Sequence, residues 1–244
     1  MDTRYQQDAI LQYETDLLPA PGESISIAPG IEWLRMPMPT ALNHINLWRL
    51  ADGAGWTQVD TGMATDETRQ CWEKLLPQHP MSRLVVTHLH PDHVGLAHWL
   101  QEKTGAPLHM TLGEFTSAQL MRLEIGAWAF ASIKAFFRQH GADDALCAAL
   151  DARAPAYSRG VPALPETYTR MRDGDVLRIG ANDWRVIVGC GHSPEHASLY
   201  CSTLGVLISG DMMLPRISTN VGAHPSTPDG NPLGLFLESI ARLR

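Results

Sequence analysis

Short apolar segments alternate with polar positions along the first part of the chain, and turn residues separate them. Segments 31–35, 46–51 and 56–59, the last two divided by Asp52-Gly53, predict an antiparallel β start. The Pro/Gly-rich stretch 18–30 precedes them, so residues 1–30 read as an N-terminal leader and 31–244 as one domain. A helix is predicted over 64–76, acidic in its first turn and stopped by Pro77. Leu84-Val85-Val86 is a strand of the buried type, followed by a helix over 94–103 and a short strand over 107–110. Residues 112–139 are apolar and poor in breakers, with Leu120, Leu123, Trp128, Phe130, Ile133, Phe136 and Phe137, and predict one or two helices. Helical character continues over 143–153 before a loop at 154–165. Strand patterns return at 176–179, 184–188, 197–201 and 206–208. Asn231 then reads as an N-cap with Pro232 at the first helical position, ahead of apolar residues at 233, 236, 237, 240 and 243. Strands plus helices followed by strands plus a helix predict two sheets with helices on their outer faces.

Composition narrows the picture. With 44% apolar and 18% charged residues in 244, the chain can bury a sizeable core, which excludes general disorder. Nineteen basic residues against 26 acidic ones give a net charge of −7, which argues against a nucleic-acid platform built on clustered Lys and Arg. The longest apolar candidate, 127–137, is interrupted by Lys134, so no membrane partner is expected. No basic segment followed by an apolar one opens the chain, so no signal peptide is expected. Cysteines at 71, 147, 190 and 201 form no CxxC pair and read as reduced thiols of a cytoplasmic protein.

The chemistry concentrates in Thr87-His88-Leu89-His90-Pro91-Asp92-His93. A strand runs into this string, so His88 and His90, two apart, project to one side. Pro91 turns the chain, and Asp92 and His93 leave at the start of a helix in another direction. Four metal-competent side chains split between two directions can hold two adjacent ions. Imidazole and carboxylate donors suit zinc and other borderline divalent cations.

This string resembles the HxHxDH signature of the metallo-β-lactamase superfamily. Val59-Asp60-Thr61-Gly62 resembles the family's early strand-end aspartate, which supports the site from behind the ligands. Gly191-His192-Ser193-Pro194-Glu195-His196 resembles the GH[ST]PGH segment, and Ser209-Gly210-Asp211 the later GD segment. The resemblance implies an α/β (α+β) architecture: an αββα sandwich of two mixed β-sheets flanked by helices, with a helical insertion around 112–153. It also implies that His88, His90 and His192 hold one metal and Asp92 and His93 a second, with Asp211 between them. Two divalent ions are expected, zinc first, with manganese or iron as alternatives.

The chain departs from the family pattern in two places. Glu195 stands where the family has glycine; it reads as a solvated turn residue, with a role at the site rim or in orienting His192 as the alternative. The family's final histidine, from a strand after the GD segment, has no counterpart in the right context. Only His224 follows Asp211, in a Gly/Pro-rich loop. The last strand and helix are therefore expected to be missing, with His224 as a substitute ligand, or a weak or empty second site, as the alternatives. His196 reads as a supporting or packing residue, and His44 as an early-strand residue that approaches the site.

The expected activity is that of a binuclear metallohydrolase, in which metal-activated hydroxide attacks a small-molecule ester, lactone or thioester. Asp92 is the catalytic candidate, passing a proton to the leaving group. The alternatives are a phosphodiesterase or RNA nuclease on the same metals, an iron-dependent oxidoreductase, and a metal-binding chain without turnover.

Overall fold

The computed structural model describes residues 17–152 and 156–243. Seven strands form the larger sheet: β1 (Ser24–Ala28), β2 (Ile31–Pro37), β3 (His44–Asp52), β4 (Gly55–Val59), β5 (Met81–Val85), β6 (Leu108–Thr111) and β7 (Thr169–Met171), in that spatial order. Strands β1 to β4 pair antiparallel, as expected of hairpin connections, and β4 to β7 pair parallel. Parallel neighbours need long crossovers, which helices supply. They are α1 (Asp66–Leu75) between β4 and β5, then α2 (Pro91–Val94) and α3 (Ala97–Thr104) between β5 and β6. Between β6 and β7 lie α4 (Leu112–Arg122), α5 (Phe130–Gln139), α6 (Asp144–Asp151) and α7 (Ala156–Gly160).

The smaller sheet holds β8 (Val176–Ile179), β9 (Asn182–Gly189), β10 (His196–Cys201) and β11 (Val206–Ile208), ordered β11-β10-β9-β8. It is antiparallel throughout, so only the larger of the two sheets is mixed. The last helix, α8 (Pro232–Ala241), starts as expected, with the Asn231 side chain accepting the Gly234 N–H at 2.9 Å. It packs on the β9 side, where Ser239 Oγ accepts the Cys190 N–H at 2.9 Å.

Side-chain alternation makes the larger sheet a two-faced layer. Leu34, Met36, Leu47 and Leu84 face Trp72 of α1, Leu100 of α3 and Ala118 of α4. Ile31, Leu50, Val59 and Val85 face Trp184, Val186, Leu199 and Ile208 of the smaller sheet. Each fully buried side chain of this kind contributes about 1.5–3 kcal/mol, so the interlocked faces hold the sheets in one register.

Several elements differ from the sequence pattern. Ser24–Ala28 is a paired edge strand rather than part of a leader, and residues 1–16 lie outside the described residues. The expected helix over 94–103 divides at Gly95, where a Cβ would meet the backbone oxygens of Gly62 and Gly160 at 2.8 and 2.7 Å. Helix α7 occupies part of the expected loop, and the three residues of β7 are too few to carry a period. Among the described residues, no helix is long and apolar enough to cross a membrane.

The C-terminal ends of parallel strands β4 and β5 meet the loops after β9 and β11 at one edge. The Ala197 N–H of β10 donates to Thr87 O at 2.9 Å and joins the two sheets there. Open sheets place their ligand sites at such strand ends.

Candidate metal centre

Past β5 the chain bends at 89–90, His90 itself having φ −64° and ψ 146°, and Pro91 at the first position of α2 then turns it. The two imidazoles meet: His88 Nε2 lies 3.0 Å from His90 Nδ1. The loop after β9 brings His192 Nε2 to 3.1 Å from His88 Nε2. The short helical turn after β11 places Asp211 Oδ2 3.5 Å from His192 Nε2 and 4.0 Å from His88 Nε2. One ligand atom from each of His88, His90, His192 and Asp211 falls within 4.8 Å of all the others.

The second direction is equally well defined. His93 Nε2 lies 3.4 Å from Asp211 Oδ1 and 3.6 Å from Asp92 Oδ2. Asp211 therefore presents one oxygen to each group of side chains. His88, His90, His192 and Asp211 thus form one converging group, and His93 with Asp92 adjoins it at Asp211.

The hydrogen-bond network assigns the tautomers. The Asp60 carboxylate accepts the Thr87 N–H at 2.8 Å and the Thr87 hydroxyl at 2.9 Å. With its proton given to Asp60, the Thr87 oxygen receives the His88 Nδ1–H at 2.9 Å. His192 Nδ1–H donates to Asn220 O at 2.8 Å, and His93 Nδ1–H to Asp60 Oδ2 at 2.9 Å. In the His88 and His192 rings the outward nitrogen holds the proton, so Nε2 turns a lone pair inward. His93 Nε2 is buried without a hydrogen-bond partner between two carboxylates. Such an arrangement costs energy unless a proton or a cation lies among the lone pairs.

The charges follow the same geometry. Burial, reinforced by neighbouring imidazoles, holds His88 well below the usual histidine range and His90 down to about 4. Burial also lowers His192. For His93 burial opposes protonation, but Asp60 and Asp92 overcome it and raise the imidazole well above its ordinary value. Burial would raise Asp211, yet the adjacent His93 imidazolium, with His192 beside it, pushes the carboxyl well below the usual carboxylate range. Metal binding at such a site displaces protons.

His196 does not join the ligands. It opens β10 fully buried, and its Nε2 accepts the Asp211 N–H at 3.1 Å, so it supports the Asp211 turn. Gly210, at φ +50°, permits this contact: a Cβ there would stand 2.4 Å from His196 Nε2. Glu195 is neither a solvated turn residue nor a partner of His192, since its Oε2 accepts the Gly113 N–H of α4 at 2.8 Å. His224 lies against Trp128, ring centroids 4.0 Å apart, with Nδ1 accepting the Ser226 N–H at 3.2 Å. His44 Nδ1 pairs with the Asn43 side chain at 2.7 Å and stands outside the converging ligand group. Two residues without a motif stand close behind the ligand-bearing loops. Glu114 of α4 is buried behind the ligand loops, and Tyr157 of α7 donates to Leu89 O at 2.7 Å.

A profile described as the metallo-β-lactamase superfamily matches residues 42–241. Among solved structures, a β-lactamase domain protein from Burkholderia ambifaria is 47% identical with a TM-score of 0.84, over 93% of this chain and 67% of that one. A metallo-β-lactamase family protein from Thermus thermophilus is 31% identical with a TM-score of 0.74, over 89% of this chain and 70% of that one. A protein crystallised in a di-iron-bound form shares the fold at 19% identity and a TM-score of 0.54, over 86% of this chain and 85% of that one. A curated protein of Aquifex aeolicus (strain VF5), described only as uncharacterized, is 32% identical over 132 residues, 53% of this chain; the match spans about half that relative's length, 48%. With the profile match and relatives at 47% and 31% identity alongside the converging histidines and aspartates, the chain belongs to the metallo-β-lactamase superfamily.

Proposed function

We propose that this chain is a metal-dependent hydrolase of a small ester, lactone or thioester. The observation that supports it best is the mutual approach of ligand-capable atoms of His88, His90, His192 and Asp211, beside a buried His93 Nε2 without a hydrogen-bond partner. The donor set fits divalent cations with borderline character, zinc first, with manganese and iron as the alternatives. His88, His90 and His192 would hold one ion, Asp92 and His93 a second, and Asp211 both. Cations held there supply Lewis acidity, lowering the pKa of water toward neutrality and polarising the scissile carbonyl.

The chain's own groups do the rest. Asp60 and Thr87 fix the ring orientations of His93 and His88, so neither ligand has to reorganise during turnover. Asp92 is the residue we expect to take a proton from the attacking water and hand it to the leaving group. A net charge of −7 weighs against a large nucleic acid as substrate.

The test is elemental analysis of protein purified without added metal, with His90→Ala in parallel, followed by assays on ester, lactone, thioester and phosphodiester panels. About two zinc ions per chain, lost in the variant together with ester-type turnover, are expected. Phosphodiester turnover would redirect the substrate class, and iron with a coloured preparation would favour the oxidoreductase alternative. Bound metal without turnover on any panel would favour the inactive metal-binding alternative, and no metal in either protein would overturn the proposal.

A further inference from the structure

We infer that Glu114 is a positioning residue for the metal site, tying the segment that carries His88 and His90 to the segment that carries His192, with Glu195 returning the contact. This rests on the metallohydrolase reading and turns on Glu114, which no family motif includes.

Glu114 is the third residue of α4 and is fully buried. At that position a glutamate ordinarily reaches back to the N-cap of its own helix. Here it reaches outward. Its Oε2 accepts the N–H of Leu89, the residue between His88 and His90, at 2.8 Å. Its Oε1 accepts the Ser193 hydroxyl at 2.6 Å and the Glu195 N–H at 2.7 Å, immediately after His192. The Leu89 peptide is held at its other end too, through the Tyr157 hydroxyl on Leu89 O.

The exchange is reciprocal. Glu195 Oε2 accepts the Gly113 N–H, one of the orphan donors of α4's first turn, at 2.8 Å. Thr111 Oγ1 donates to Glu195 O at 2.8 Å. Gly113 is required for so close an approach, because a Cβ there would stand 2.9 Å from Glu195 Cδ. The glutamate found where the family motif has glycine is thereby explained: it closes the second half of a clasp whose first half is Glu114.

A carboxylate suits the task because three donors point at it and it offers only acceptors. Glutamine would turn an amide N–H toward one of them. An apolar side chain would leave three buried donors unpaired. Burial pushes the Glu114 carboxyl up to about 7, against the three donated hydrogen bonds that pull it down. The 3.1 Å approach of His88 Nε2 to His192 Nε2 joins side chains 104 residues apart, and the clasp links their two segments beside it.

Binding of Co²⁺ alone, measured by competition with a chelator and by its visible absorption bands, tests this on metal-free protein. Glu114→Gln is expected to weaken Co²⁺ binding about tenfold or more and to shift the bands. Ser193→Ala, which removes one of the three donors, should weaken it several-fold. Ala118→Gly loosens the same helix away from both loops and should lower the melting temperature while leaving affinity and bands unchanged. Wild-type affinity and bands in Glu114→Gln would overturn the inference; if that variant does not fold, unchanged affinity in Ser193→Ala does the same. A wild-type protein that binds no Co²⁺ would sink the metallohydrolase reading itself, a result distinct from either.

Discussion

Asp60 Oδ2 sits 2.9 Å from His93 Nδ1, and the aspartate that makes this contact has a left-handed backbone, φ +62°. A non-glycine residue in that region carries a conformational cost of order 1–3 kcal/mol, tolerated where the surroundings over-determine it. Here the surroundings are the Thr87 N–H and hydroxyl, both donated to the same carboxylate, and the Gln58 side-chain amide on Asp60 O at 2.8 Å. The bent backbone aims one carboxylate at two ligand-bearing segments at once.

Asp60→Asn should therefore disturb the second group of ligands more than the first. An amide facing His93 Nδ1 favours the opposite tautomer, with Nε2–H directed at Asp92 and Asp211, where a cation would bind. Bound metal is expected to fall from two ions to one, with a stability loss of about 1–3 kcal/mol from imperfectly paired buried donors. Elemental analysis and urea unfolding give both numbers, and an unchanged metal content would count against the assigned tautomer.

The metal-free protein should lose stability in acid. Burial lowers His88, His90 (to about 4) and His196 (to about 3), so the unfolded chain takes up protons that the native state refuses as pH falls below about 6.5. Glu114, raised to about 7 by burial, acts in the opposite sense, since its native form binds a proton that the unfolded chain has already lost. Three histidines outweigh one glutamate, so net stability should rise by a few kcal/mol from pH 4 to about 6.5. Above that, His93 reverses the slope: its raised value means stability present below the unfolded pKa and lost as pH climbs through the folded one. Urea midpoints across pH would show a maximum near neutrality, and a monotonic fall from pH 4 to 7 would contradict the ordering.

Gly210→Ala should cost at least about 1–3 kcal/mol and weaken metal retention. The position needs φ +50°, and the new Cβ would stand 2.4 Å from His196 Nε2, the atom that accepts the Asp211 N–H. The mutant's unfolding midpoint and zinc content should fall together. A stability loss with full metal content would separate the Asp211 turn from ligand placement.

Trp128→Ala should loosen the 214–231 loop. His224 of that loop packs at a tilt against Trp128, ring centroids 4.0 Å apart, and the same loop supplies the Asn220 carbonyl that orients His192. Limited proteolysis is expected to cut within 214–231 several-fold faster in the variant, with little change in melting temperature. Equal cleavage rates would mean that the contact contributes nothing to loop order.

What the sequence determined by itself is local. His88, His90, Pro91, Asp92 and His93 lie within six residues, so strand alternation and a proline turn suffice to divide them between two directions. Their match to a family signature brought in His192, Asp211 and Asp60, and the strand periods named most of both sheets. The tertiary structure alone decided the contacts between distant segments. Ser24–Ala28 is a strand only because β2 pairs with it, and β7 only because β6 does. Glu114, on a helix whose buried neighbours are small, carries no pattern that marks it. Its meaning comes from donors 25, 79 and 81 residues away. Glu195 reads as a solvated turn until the N-terminus of α4 lies beside it. A hydrogen bond has the reach of one atom pair, whereas a sequence period extends only along its own element, so the residues that aim the ligands become visible only once the loops are closed.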